Sequence, residues 1–131
     1  MYKIVATLLG AMNFVFGLVW MLYPQIVLAS WGITRTSSGM VVERRLGILL
    51  LVLALLLFFS RNAPHSPARS AICCAAGLAA FCLASVGLYE LWAGVASSGV
   101  LPGIGFNLAF ALMFGLVEWN ARREARHAQS A

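Results

Sequence analysis

The chain has 131 residues, of which 62% are apolar and only 10% charged, and its formal net charge is +5. So apolar a composition cannot cover a water-exposed globular surface; it excludes an ordinary soluble domain and indicates an integral membrane protein. Nor does the positive charge point to nucleic acid, because the basic residues fall at the ends of apolar stretches, where membrane topology uses them.

A hydrocarbon core about 30 Å thick takes roughly 20 apolar residues per helix. Four stretches have that length, residues 4–23, 41–60, 69–92 and 100–119, followed by a basic tail at 120–131. The expected fold is all-α: a single four-span transmembrane helix bundle with a short interfacial segment between the first two spans. In that arrangement Lys3, Arg61, Arg69, Arg122, Arg123 and Arg126 share one side, against Arg35, Arg44 and Arg45 on the other. The positive-inside rule then predicts that both termini are cytoplasmic, in a bacterial inner membrane.

The first stretch closes on Trp20, Met21, Leu22 and Tyr23 instead of the small residues of a cleavage site, so it is expected to be retained as a span. Within it Gly10, Asn13, Gly17 and Trp20 recur at helical spacing, giving a narrow face with one amide near the midplane. The segment that follows, "PQIVLASWGITRTSSGM", starts on a proline suited to a first helical turn and has Gly32 to end it. Ile26, Val27, Leu28 and Trp31 make it apolar enough to lie at the interface as a lid.

The second span opens on three consecutive charges, Glu43, Arg44 and Arg45, before the fourteen uncharged residues "LGILLLVLALLLFF". Large aliphatic side chains such as Leu50 and Leu53 suit a helix with much of its circumference against lipid. The third span is mostly small residues, with Ala76, Ala80 and Ala84 on one face, so it is either the central packing helix or a subunit interface. All three cysteines lie in it. Cys73 and Cys74 are adjacent and poorly placed to bridge each other, which leaves packing as their role and a soft-metal site as the rival. In the fourth span Gly103, Asn107, Ala111 and Gly115 repeat the pattern of the first, so Asn13 and Asn107 either hydrogen-bond between helices or hold a ligand.

Arg45 is sixteen residues from Arg61, about 24 Å along a helix, which puts the charged triplet at the outer edge of the hydrocarbon. An arginine can snorkel from there; Glu43 cannot reach as far. The third span returns to this depth at Tyr89 and Glu90, with Asn107 just below. A polar cluster of Glu43, Arg44, Arg45, Tyr89, Glu90 and Asn107 is therefore expected in the outer half, with Glu90 or Glu43 paired to an arginine. Its roles divide between a structural clamp, a ligand site, and catalysis in which Glu90 or Glu43 is the general acid and Tyr89 or Asn107 orients a lipophilic substrate.

The run "GAMNFVFGLVWMLYP", then "WGI", then "ERRLGILLLVLALLLFFSR" resembles the small four-helix membrane proteins grouped as DoxX-like. The resemblance implies an accessory or lipophile-binding subunit and transfers no catalytic residue. No cofactor is expected: His65 and His127 flank the spans and cannot ligate a haem within them, and no zinc or nucleotide motif is present. A small oligomeric transporter is the third possibility, although the first span carries Asn13 where such exporters use an acid. The expected partners are the bilayer, a lipophilic small molecule or a membrane subunit, and further copies of the chain.

Overall fold

A computed structural model describes residues 1–34 and 37–130, with the side chains at 37–38, 125–126 and 128–130 outside the description. Arg35 and the Arg126 side chain, both used in the charge count above, therefore lie outside the described residues. The elements are helices α1 (Tyr2–Leu22), α2 (Pro24–Ser30), α3 (Ser37–Ser60), α4 (Pro67–Trp92) and α5 (Leu101–Ser130), with a 3-10 turn at Ser98–Val100 leading into α5. No strand occurs among the described residues.

The breaks follow local chemistry. Tyr23 leaves the helical region at φ −133°, and Pro24, which has no N–H to lose, starts α2. Trp31 closes α2, and Gly32 takes φ +72°, a conformation that a side chain would oppose. Ser66 caps α4 by accepting from the Arg69 N–H at 3.3 Å, with Pro67 as the first helical residue. Gly94 at φ +70° follows the end of α4. Past Trp119 the last helix does not stop: the basic tail continues α5 to Ser130.

α1, α4 and α5 are long and apolar enough to cross a membrane. α3, the second of the four expected spans, has the length, but every eighteen-residue stretch of it includes Glu43, Arg44 and Arg45, so three of the four expected spans have the full apolar composition. Large apolar side chains such as Ile4, Leu8, Phe59, Leu78, Leu112 and Leu116 face outward, as a lipid environment requires.

α1 packs along α3, and α4 along α5, with lighter contact between the two pairs. Small residues explain the pairing. A Cβ on Gly47 would stand 2.6 Å from the Met21 nitrogen and 2.8 Å from the Gly17 carbonyl oxygen, while one on Gly17 would stand 2.9 Å from the Gly47 carbonyl oxygen. The backbones of α1 and α3 meet directly there. In the other pair the small face of Ala76, Ala80 and Ala84 is buried, and Gly77 and Gly87 lie against Phe114 and Ile104. α4 thus supplies the hollows and α5 the bulk: its buried row is Ile104, Phe110, Phe114 and Val117. The expected inward row of α5 is displaced accordingly, with Gly103, Asn107 and Ala111 half-buried and Gly115 exposed.

One core cluster joins all four long helices through Tyr2, Ala6 and Leu9, Leu57, Cys73, Ala76 and Ala80, and Phe110, Phe114 and Val117. Leu53 packs against it and Leu50 is half-buried, so neither leucine faces lipid freely as expected. At the opposite end α2 acts as a strap. Trp31 meets Trp20 edge-on with ring centroids 5.3 Å apart, its carbonyl accepts from the Ser97 N–H at 2.7 Å, and Trp31 and Ile33 pack on Ala84, Ala96, Val100 and Ile104.

Gly47→Ala is expected to destabilise the α1–α3 pair by about 1–3 kcal/mol, because the new methyl meets backbone atoms that cannot rotate away. Gly105→Ala, which meets nothing within 4 Å, should leave stability unchanged or slightly raised. Melting curves of both variants in one detergent check this contrast.

Candidate functional site

The antiparallel path gives the bundle two ends. The loop end carries α2, the start of α3 and the turn between α4 and α5; the terminal end carries Tyr2, Ser60, the 61–66 joint, the start of α4 and the last turns of α5.

The polar residues expected to gather at the loop end are only partly brought together. Glu43 and Glu90, both half-buried, lie within electrostatic reach of each other. Arg44 and Arg45 are exposed, and neither forms the expected ion pair with Glu43 or Glu90 among the described residues. The reason is rotational: Arg44 and Arg45 follow Glu43 at about 100° per residue and point off the bundle, where they can reach headgroups. Tyr89 is 63% exposed and stacks beside Trp92 at 6.2 Å, the setting of an interfacial aromatic. Asn107 donates to the Gly103 carbonyl at 3.0 Å, and buried Asn13 donates to the Leu9 carbonyl at 2.9 Å. In each amide one N–H is therefore used one turn back on its own helix.

The densest polar network lies at the terminal end and centres on Glu118. This carboxylate is 7% exposed; its Oε1 accepts from Arg122 Nε at 2.7 Å and lies 3.9 Å from His65 Nε2, while its Oε2 is buried without a hydrogen-bond partner among the described residues. The pairing is local in origin, since residues four apart share a helix face and the glutamate precedes the arginine. His65 is delivered by the joint between Pro64 and Pro67, and shares a 3.2 Å hydrogen bond with Ser70. Nearby, the Tyr2 hydroxyl donates to Ser60 Oγ at 2.6 Å, and Ser60 in turn donates to the Leu57 carbonyl. The Arg69 guanidinium lies 4.7 Å over the Tyr2 ring and donates to the Ala63 carbonyl at 3.2 Å.

A groove of about 470 Å³ opens between α4 and α5 beside this network. Gly77, Leu78, Ala111, Phe114 and Gly115 line its apolar length, and Glu118, Trp119 and Arg122 stand at its polar mouth. Buried Cys73 and exposed Cys74 also border it. Among the described residues no three of His, Cys, Asp or Glu converge as metal ligands.

The geometry at His65 differs from that of a nucleophilic triad. Ser70, His65 and Glu118 have the residue types of a nucleophilic triad, yet hydroxyl and carboxylate face the same imidazole nitrogen. A triad needs them on opposite nitrogens, so that one orients the base while the other gives up its proton. What remains is an apolar channel whose mouth carries a fixed ion pair.

The sequence reading missed Glu118, His65 and Ser70 as a unit. The signal was present: Glu118 is the carboxylate within the last apolar run, four residues before Arg122. A basic residue at the end of a span fits the topology rule by itself, which conceals the partner of Arg122. His65 and Ser70 join through the tertiary path of the joint, which spacing does not reveal. No family model, curated protein or solved structure matches the chain.

Because the carboxylate is buried and the guanidinium largely exposed, the two halves of the pair are not equivalent. Arg122→Gln leaves a buried charge with only His65 nearby and should lower the melting temperature; Glu118→Gln should lower it less. The double variant is expected above Arg122→Gln alone, and a thermal double-mutant cycle measures the difference.

Proposed function

We propose that this chain is a four-crossing membrane protein that holds a lipophilic molecule in the α4–α5 groove, as a binding or accessory subunit. The groove itself carries the reading. Its volume lies in the range of small-molecule sites, its walls are apolar, and its one polar feature sits where a lipophile's head would reach the interface. The resemblance to DoxX-like proteins in the first half of the chain implies the same class of role.

The fourth crossing is α3. It runs antiparallel along α1 with direct backbone contact, so it shares the depth of a helix long and apolar enough to cross a membrane. Its charged triplet falls at the loop end, where Arg44 and Arg45 are exposed and can snorkel while Leu46–Ser60 occupies the hydrocarbon. Termini in the cytoplasm follow from the excess of Lys and Arg at the terminal end.

Groove occupancy is testable at Gly115, where an added side chain has open space at its root and projects into the channel. Gly115→Leu should leave the fold intact, since a helical leucine replaces a glycine at a gain of up to about 1 kcal/mol. It should also deplete severalfold the lipophile that co-purifies with the protein, measured by solvent extraction and mass spectrometry. Gly105→Leu, with equal space but outside the groove, serves as the control. Equal lipophile content in wild type, Gly115→Leu and Gly105→Leu would remove the groove as a binding site.

A further inference from the structure

The geometry points to a second site, independent of the groove: a crevice at the terminal end that takes the phosphate of an anionic lipid headgroup. The crevice has a volume of about 350 Å³ and lies between the start of α1, the 61–66 joint, the start of α4 and the last turns of α5. Its charged lining is Lys3, Arg61 and Arg69 against the single acid Glu124, with Asn62 and Asn120 adding amide groups. Three cations from three different elements thus converge on one concave space. A general bias of basic residues toward one side of the membrane would scatter them over the surface instead.

Two of the cations are held in place without being neutralised. Arg69 is half-buried, stacked on Tyr2 and tied to the Ala63 carbonyl, and its Nε has no acceptor. Arg61 stands 3.5 Å over the Phe58 ring. Neither forms an ion pair with a carboxylate among the described residues. A guanidinium has five N–H donors, and among the described residues Arg69 has one hydrogen-bond acceptor for them, the Ala63 carbonyl. A phosphate offers several acceptors together with negative charge, which Glu124 alone does not balance against three cations.

The same phosphate chemistry could come from a soluble ion, and the surroundings favour lipid. Exposed Ile4 and Leu8 continue along α1 on the membrane side of Lys3, an apolar path on which acyl chains can lie below a headgroup seated in the crevice. Val117 and the Tyr2 ring extend that apolar edge inside.

The test uses full-length protein in nanodiscs made from equal parts phosphatidylglycerol and phosphatidylcholine, with retained lipid counted by native mass spectrometry. Wild type should retain phosphatidylglycerol over phosphatidylcholine. Lys3→Gln and Arg61→Gln should each lower that preference by about fivefold, the effect of one basic side chain at a headgroup. Lys3 is exposed, so its substitution does not threaten the fold. Arg69→Lys, which keeps the charge and loses the fork, should lower the preference less than Arg69→Gln. Arg44→Gln at the loop end, an exposed cation outside the crevice, should lower it clearly less than Lys3→Gln. The proposal is overturned if the two lipids are retained equally, if Arg44→Gln has the same effect as Lys3→Gln, or if inorganic phosphate at constant ionic strength displaces the retained lipid.

Discussion

Lipid gives helices no hydrophobic reason to associate, so this bundle depends on how closely two backbones can approach. The contact of Gly17 with Gly47 is the clearest instance: each glycine has a carbonyl of the other helix where a methyl would go. That approach fixes α3 against α1. On the other side the alanine face of α4 accepts the bulky row of α5, and the same principle is met by hollow and knob instead of by two bare backbones. The pairs then join through one cluster at the terminal half and through the Trp31 strap at the loop end. Dispersion contacts made in this way replace the burial of apolar area that stabilises soluble bundles.

The placement of polar groups follows from the same solvent. Within the apolar lengths, Thr7, Asn13, Ser85 and Asn107 each donate to a carbonyl four residues back, which satisfies them without asking anything of a neighbouring helix. Polar chemistry that crosses between elements is confined to the ends. At the loop end it is sparse and aromatic; at the terminal end it is dense, with Glu118, Arg122, His65 and Ser70 on one side of α5 and Lys3, Arg61 and Arg69 on the other. The groove and the crevice are concavities beside that density. One presents an apolar channel and the other a cluster of cations.

Several features were legible in the sequence because a single helix determines them. The faces through Gly10, Asn13, Gly17 and Trp20 and through Ala76, Ala80 and Ala84 are buried, and α2 begins at Pro24 and ends before Gly32. Spacing failed where the outcome depended on a partner. The Gly103 to Gly115 row looked as regular as that of α1, yet α4 had already supplied the small surface, so α5 turned its bulky residues inward. Glu43, Arg44 and Arg45 share a depth with Glu90, but depth does not establish direction, and the arginines face away. The terminal network is hidden for a related reason: a basic residue at the end of a span satisfies the topology rule without a partner, so spacing gives no sign of Glu118's contacts or of the crevice. Composition identifies a membrane chain; the pairing of side chains between helices required coordinates.

The account rests on α3 crossing the membrane beside α1 despite its charged opening. In a background with Cys73, Cys74 and Cys82 replaced, single cysteines at Thr34 and Asn62, both exposed and at opposite ends of α3, can be labelled with an impermeant maleimide in intact and opened cells. Four crossings predict opposite labelling, one site reactive in intact cells and the other only after opening. The same sidedness at both positions would mean that α3 does not cross, and would contradict the paired bundle together with the sites assigned to it.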